Sequence, residues 1–192
     1  MTESNSISEN VRLEEGRAEG ATVERSGPTI KRGKSDQVVG TPRAFLDAAE
    51  RRFGSVAWDL AATTDNSVCR DSGSYFGPDH TRRDWRDALA MDWGALIGTT
   101  WCNPPFSNIA PWAAKAETTR HRIGWTLMLV PASVDAEWYW KHVHGKAFVM
   151  PLRGRLTFRG SSDPYPKGLL LAAYGFGVVG FEPWKWKHGV AT

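Results

Sequence analysis

The sequence predicts an α/β fold in which helices cover a mostly parallel sheet. From about Thr41 onward, short apolar segments alternate with amphipathic segments of helical character. This alternation is typical of parallel strands joined by helical crossovers. The hydrophobic fraction of 41% and the charged fraction of 23% are those of an ordinary soluble domain, and 192 residues suffice for one core. We therefore expect a single domain over residues 37–192.

The first 36 residues differ in composition from the rest of the chain. They are rich in Ser, Glu, Gly and Arg and contain almost no large apolar residue. Such a segment buries too little apolar surface to offset the entropy lost on ordering, so we expect a disordered arm over residues 1–36. The chain shows no signal-like start and no apolar run of the roughly 20 residues that a membrane helix requires. These features predict a cytoplasmic protein that has no membrane partner.

The first elements follow from local signals. The segment TPRAFLDAAERRFG predicts a helix that Thr41 caps and whose first turn holds Pro42. A short buried strand follows over residues 55–58 and leads to Asp59. The polar stretch of residues 63–86 contains several glycines and predicts a loop.

The second half of the chain continues the alternation. Five segments predict strand, helix, strand, helix and strand in turn: GTTWCN, IAPWAAKAETTRHR, IGWTLMLVP, SVDAEWYWKHVHG and KAFVM. The last apolar stretch, KGLLLAAYGFGVVGFE, divides at residues 174–177, where tight turns suit an antiparallel pair. We thus predict a mostly parallel sheet with an antiparallel C-terminal pair and helices on both faces.

Two predicted strands end in polar side chains, at Asp59 and Asn103. Ligands bind at the carboxyl ends of strands in open α/β sheets. Proline fixes its own backbone φ and restricts the residue before it, so Asn103, Pro104 and Pro105 form a stiff turn that presents acceptors. An amide oxygen and a backbone carbonyl can accept both hydrogens of an exocyclic amino group, while Phe106 offers a flat face to a base. The segment predicts a site for an aromatic amine, although a plain proline-rich turn is the alternative.

The tetrapeptide NPPF resembles the (D/N/S)-P-P-(Y/F/W) signature of S-adenosylmethionine-dependent amino methyltransferases. The wider sequence resembles the phage-type DNA N-6-adenine methyltransferases through TPRAFLDAAERRFG, WDLAA, DALAMDW, WCNPPFSN, LMLVPASVDAEWYW and LRGRLTF. The resemblance implies a Rossmann-like S-adenosylmethionine-dependent methyltransferase sheet. It also implies direct in-line methyl transfer from S-adenosylmethionine to the N6 of adenine in double-stranded DNA, after base flipping. Phage or prophage origin is a further implication of the family.

The resemblance implies roles for particular residues. The catalytic positions would be Asn103, Pro104, Pro105 and Phe106, which orient the amine and stack on the base. The cofactor-binding positions would be Thr41, Pro42, Asp59, Ala61, Asp92 and Trp93. Ordinary structural roles remain the alternatives: a helix start for the first two, a helix cap for Asp59, an exposed acid for Asp92 and a core side chain for Trp93. The sequence departs from many methyltransferases in having DLAA where a glycine-rich cofactor loop is common.

Cationic and aromatic side chains near the C-terminus suggest DNA contacts. Guanidinium pairs suit phosphates, and aromatic rings interleaved with cations suit nucleic acid. The candidate DNA-binding residues are Arg153, Arg155, Trp184, Lys185, Trp186 and Lys187. A solvated turn is the alternative for the two arginines.

Two other functions remain open on the sequence alone. The same chemistry could act on another amine, such as cytosine N4, RNA adenine or glutamine. The chain could also be a non-catalytic nucleic-acid-binding module on the same fold, since it has no glycine-rich cofactor loop. None of the five histidines has the spacing of a metal site, so we expect no metal.

Overall fold

The computed structural model describes residues 40–187 except residues 70 and 72. The arm predicted for residues 1–36 lies outside the described residues. Within the described part, the helices are α1 (Arg43–Phe53), α2 (Ala110–Thr118) and α3 (Glu137–His142), with 3-10 turns at Arg83–Trp85 and Trp93–Ala95. The strands are β1 (Val56–Asp59), β2 (Thr99–Cys102), β3 (Thr126–Pro131), β4 (Phe148–Pro151), β5 (Leu169–Tyr174) and β6 (Gly180–Phe181). Each predicted helix and strand is present, with α3 shorter than expected.

The strands form one sheet in the order β1-β2-β3-β5-β4-β6. Strands β1, β2 and β3 are mutually parallel, and β6 is parallel to β4. Strand β5 is antiparallel to both of its neighbours, β3 and β4. All strands except β5 therefore run in the same direction, which confirms a mixed α/β fold with a mostly parallel sheet.

The predicted antiparallel pair of the two C-terminal strands is wrong. Strand β4 lies between β5 and β6, so the turn after Tyr174 does not fold β6 back onto β5. All six residues of β5 are buried, whereas both residues of β6 are exposed at the edge of the sheet. An entirely apolar strand is most stable with a neighbour on each side and a covered face above and below. Burial of β5 in the sheet interior explains the difference.

Side chains of the central strands alternate between two cores on opposite faces of the sheet. Leu127 and Leu129 of β3 pack on the α1 face together with Phe45. Met128 and Val130 pack on the other face, where α2 and α3 contribute buried side chains. The strand is buried along its whole length because both faces are covered. Helices on both faces, as predicted, enclose the sheet.

Helix α1 begins differently from the prediction. Pro42 is the N-cap residue, and the amide groups of Phe45 and Leu46 donate to its carbonyl at 3.0 and 3.2 Å. Thr41 lies one residue too early to cap the helix, so the predicted cap is wrong. Its hydroxyl is buried and has no hydrogen-bond partner among the described residues. The helices that the structure describes include none with the length and hydropathy needed to cross a membrane.

Candidate active site

A cavity of about 700 Å³ lies beyond the carboxyl ends of β1 and β2. Its wall is formed by segments that follow β1, the NPPF segment (residues 103–106) that follows β2, Trp112 of α2, and the stretch that contains Phe158 and residues 160–166. Parallel strands place their carboxyl ends at the same edge of a sheet, where ligands of open α/β folds bind. The volume is in the range of small-molecule and cofactor sites.

The NPPF segment reaches the cavity as a unit. All four of its residues line the wall, and the amide of Asn108 donates to the carbonyl of Pro105 at 3.0 Å, closing the turn. The side-chain oxygen of Asn103, Oδ1, is buried and accepts no hydrogen bond from the residues described. A buried acceptor without a partner is costly, so it marks a place where a ligand can donate.

Three aromatic rings form one side of the cavity. Phe106 contacts Phe158 and Tyr165 edge to face, with ring centroids 6.2 and 5.4 Å apart, and the latter two rings are 6.0 Å apart. Phe158 ends the segment LRGRLTF, so the structure places an aromatic ring of that segment at the cavity. Tyr165 was missed in the sequence; its signal is a lone aromatic between two prolines in the segment DPYPK.

Asp59 has a different environment from Asn103. It is only 2% exposed, and its two oxygens accept the amides of Ala61 at 3.2 Å and Val68 at 3.0 Å. Burial raises the pKa of Asp59 to about 6, although these two hydrogen bonds act in the opposite direction. The chain enters a loop after β1, so the alternative of a helix cap is wrong. The carboxylate instead holds the loop in place.

Asp59 lines a second, smaller cavity, which we call the polar chamber. The chamber has a volume of about 10 Å³ and shares Ala61, Asn66 and Asn103 with the large cavity. Its full lining is Gly40, Thr41, Asp59, Ala61, Asn66, Val68, Trp101 and Asn103. The structure thus brings Thr41, Asp59 and Ala61 together, three of the predicted cofactor residues. Pro42 starts α1 and lines neither cavity.

Asp92 and Trp93 also lie outside the lining of both cavities. Asp92 is exposed and accepts the amide of Gly94 at 2.9 Å, which caps a 3-10 turn. Trp93 is fully buried, and its indole donates to the carbonyl of Ala88 at 2.8 Å. The earlier acid of the same segment, Asp87, does line the large cavity, as does Asp163 from a later loop. The segment DALAMDW contains both Asp87 and Asp92, and no local pattern distinguishes the acid that reaches the cavity.

The C-terminal tryptophans face the core. Trp186 is 7% exposed and Trp184 is half-buried; their rings lie 5.1 and 5.6 Å from that of Phe45 in α1. Lys185 and Lys187 alternate with them and are exposed, as in an extended segment with one face on a core. The buried ring of Trp186 has no face available to stack on a base, contrary to the role predicted for it. Arg153 and Arg155 are exposed.

A protein-family model matches most of the chain. A family model described as DNA N-6-adenine-methyltransferase (Dam) matches residues 29–167. The chain belongs to the Dam family. This match, which covers more than half of the chain, confirms the resemblance seen in the sequence. Neither curated proteins nor solved structures gave a match to the chain.

The Dam family match includes the parts of the chain that build the cavity. The matched range contains β1, the NPPF segment, Phe158 and Tyr165, and it ends before β5. Membership in a family of DNA methyltransferases identifies DNA as the substrate class. In the described part of the chain, His, Cys, Asp and Glu side chains form no group of three or more that could hold a metal ion.

Proposed function

We propose that this Dam family member transfers a methyl group from S-adenosylmethionine to the exocyclic N6 of adenine in double-stranded DNA. The observation that carries the proposal is the oxygen of Asn103, a buried acceptor with no partner in the described structure, on the wall of the large cavity. The aromatic rings of Phe106, Phe158 and Tyr165 lie on the same wall. An acceptor beside flat apolar surface suits a nucleobase that carries an amino group.

The large cavity has room and chemistry for the cofactor. Its lining includes Ala61 and Phe76 from the segments after β1 and Trp112 from α2, which offer apolar surface, and Asp87, which carries a carboxylate. When bound, S-adenosylmethionine supplies an electrophilic methyl group on a sulfonium sulfur. We assign to Asp87 the contact with the adenine amino group of the cofactor that the resemblance implied for Asp92. Parallel strands β1 to β3, with helices on both faces, support a Rossmann-like classification of the sheet.

The residues of the NPPF segment would act on the target amine. The lone pair of an adenine amino group is delocalised into the ring, which makes the nitrogen a weak nucleophile. If Asn103 and the carbonyl of Pro104 accept its two hydrogens, the nitrogen becomes pyramidal and its developing positive charge is stabilised. The nitrogen would bond the methyl carbon in line as the carbon–sulfur bond breaks, S-adenosylhomocysteine would leave as a neutral thioether, and the methylated nitrogen would release one proton to water.

The target base must leave the duplex to reach this site. Base flipping costs stacking energy, which stacking on Phe106, Phe158 and Tyr165 would offset. Exposed cations would bind the phosphates on either side, so DNA affinity would fall with salt. The proposed phosphate contacts are Arg153, Arg155, Lys185 and Lys187, all of which are exposed.

Replacing Asn103 by Ala tests the proposal. The purified protein is incubated with tritiated S-adenosylmethionine and unmethylated duplex DNA, and the modified nucleoside is identified by mass spectrometry. We expect N6-methyldeoxyadenosine from the wild type and a loss of at least about 100-fold in kcat for Asn103→Ala, because a transition-state hydrogen-bond acceptor is removed. Binding of S-adenosylhomocysteine, measured by calorimetry, should be retained.

A matched control is Asn108→Ala, which removes an exposed amide five residues further along the same turn. It should leave methylation unchanged. Formation of N4-methyldeoxycytidine would replace adenine by cytosine as the target. Cofactor binding without DNA methylation would indicate an RNA or glutamine amine. Absence of cofactor binding would favour the non-catalytic nucleic-acid-binding module.

A further inference from the structure

Several residues that line the polar chamber have a buried polar atom without a hydrogen-bond partner in the described structure. Three of the residues that line it carry a buried atom with no partner in the described residues: Thr41 Oγ1, Trp101 Nε1 and Asn103 Oδ1. Native proteins satisfy nearly all of their buried polar groups, so three unsatisfied atoms around one small space need an explanation. The target amine of the proposed function would satisfy Asn103, and a ligand group that enters the chamber would satisfy Thr41 and Trp101.

The chemistry of the chamber indicates what kind of group enters. The indole nitrogen of Trp101 can only donate, and the hydroxyl of Thr41 can donate as well. Asp59 contributes a carboxylate whose oxygens each accept one backbone amide and retain further lone-pair capacity. Donors beside a carboxylate complement a zwitterion, with the donors facing its carboxylate and Asp59 facing its ammonium group.

The position of the chamber connects this zwitterion to the proposed cofactor. Ala61, Asn66 and Asn103 line both the chamber and the large cavity, so a molecule in the large cavity can extend into the chamber. S-adenosylmethionine ends in an α-amino acid group, which is a zwitterion at neutral pH. We propose that Trp101 donates its indole hydrogen bond to the carboxylate of this group. The assignment rests on the proposed function, because it requires S-adenosylmethionine as the cofactor.

Trp101 is held in position by the sheet. It is fully buried in β2, lies opposite Asp59 in the β1–β2 register, and packs edge to face on Phe45 with centroids 6.1 Å apart. A fixed ring aims its N–H without further loss of side-chain entropy. In the sequence it reads as a core residue, and only the unpaired nitrogen distinguishes it from one.

Binding must widen the chamber. Its volume of about 10 Å³ is close to that needed for one water molecule. Gly40 and Thr41 form one wall, and the amide of Arg159 donates to the carbonyl of Gly40 at 2.7 Å. The proposal requires this wall to shift outward to admit the amino acid group while the ring of Trp101 stays in the core.

The test is Trp101→Phe, which removes the N–H and keeps an aromatic ring. Calorimetry compares S-adenosylhomocysteine, decarboxylated S-adenosylmethionine and 5′-methylthioadenosine, the last two of which lack the carboxylate. We expect the affinity for S-adenosylhomocysteine to fall about tenfold or more, since the lost hydrogen bond is to a charged group. Affinity for the two ligands without a carboxylate should stay within about twofold of the wild type.

Trp186→Phe is the matched control. Trp186 Nε1 is also buried without a partner in the described structure, but it lies outside the chamber. Its removal should leave the affinity for S-adenosylhomocysteine unchanged. In the ligand-free protein, Trp101→Phe should lower the melting temperature because the smaller ring leaves a cavity in the core, so the ligand comparison and not stability reports on the lost N–H.

Each other result would overturn either the role of Trp101 or the proposed function. If the wild type binds S-adenosylhomocysteine and Trp101→Phe binds it equally well, the role of Trp101 is wrong and the proposed function stands. Equal losses for all three ligands would mean that Trp101 acts through the shape of the site and not on the carboxylate. If the wild type binds neither S-adenosylhomocysteine nor S-adenosylmethionine, the proposed function fails, and the role of Trp101 fails with it.

Discussion

Asp59 and Asn103 occupy equivalent places at the carboxyl ends of neighbouring parallel strands, yet the structure treats them differently. Both oxygens of Asp59 accept backbone amides from the loop that follows β1. The oxygen of Asn103 accepts nothing from the described residues. A strand end is therefore not by itself a functional position; what matters is whether the protein already satisfies the polar group that it places there.

The difference predicts that the fold depends on the side chain of Asp59 more than on that of Asn103. Removal of Asp59 would release a loop, because the amides of Ala61 and Val68 would lose their acceptor. Removal of Asn103 would take away only a group that awaits a ligand. Stability measurements should therefore respond to the first residue, and catalytic measurements to the second.

The largest expected effect concerns Asp59 and pH. Its pKa of about 6 in the folded protein lies above the ordinary value of 3.8 because the carboxylate is desolvated. The folded state thus holds the proton more tightly, so this contribution to stability is complete below pH 3.8 and is lost as the pH rises through about 6. We expect the free energy of unfolding of the wild type, relative to Asp59→Asn, to fall by about 3 kcal/mol over this window.

Urea denaturation at several pH values between these limits checks the prediction. Asp135→Asn, which changes an exposed aspartate before α3, serves as the control and should follow the wild type in this window. A constant difference between the wild type and Asp59→Asn across the window would contradict the proposed burial of a charged group. Asp59 would then differ from Asn103 in its hydrogen bonds but not in the pH dependence of its contribution to stability.

A smaller effect is expected for Phe106→Leu. Loss of the ring removes a stacking surface, which by itself contributes about 1–3 kcal/mol per base. We expect the KM for DNA to rise about tenfold and the fluorescence of 2-aminopurine at the target position to report less flipping. Affinity for S-adenosylhomocysteine should not change. Phe181→Leu, at the exposed edge strand β6, is the control, and equal effects of the two changes would rule out a specific stacking role.

The smallest expected effect is that of Asn103→Ala on stability. Its oxygen has no partner within the described structure, so its removal costs no internal hydrogen bond. The free energy of unfolding should stay within about 0.5 kcal/mol of the wild type. Chemical denaturation measures this directly, and a loss above about 2 kcal/mol would show that Asn103 is a supporting residue like Asp59.

Some parts of the fold could be predicted from the sequence, and others could not. The strands around the NPPF segment are continuous apolar runs bounded by glycine and proline, so their existence and order follow from local pattern. The position of β5 between β3 and β4 does not follow from local pattern, because it depends on which strand, distant in sequence, offers a complementary edge. Turn signals after Tyr174 indicated a hairpin, and the demand of a wholly apolar strand for two neighbours overrode them.

Some residues of the candidate site could likewise be predicted from the sequence, and others could not. Residues 103–106 were identifiable because two consecutive prolines dictate the geometry of that turn and of the residue before it. The burial of Trp186 could not be predicted, because an aromatic ring beside lysines has the same composition in a core as on a DNA-binding surface. Asp87 and Tyr165 were missed because loops far apart in sequence bring them to the cavity, and no local spacing records that meeting.

The sequence by itself determined the α/β class, the order of the elements and the stiff proline turn after β2, since each depends on contacts among residues close in the chain. Only the tertiary structure decided which polar groups remain without partners, which tryptophans are buried, and which acid lines the cavity. These depend on packing between segments tens of residues apart, where burial and unmet hydrogen bonds arise from the fold as a whole. The indole of Trp101 illustrates this limit, because its unpaired nitrogen becomes evident only when β1, β2 and the start of α1 come together.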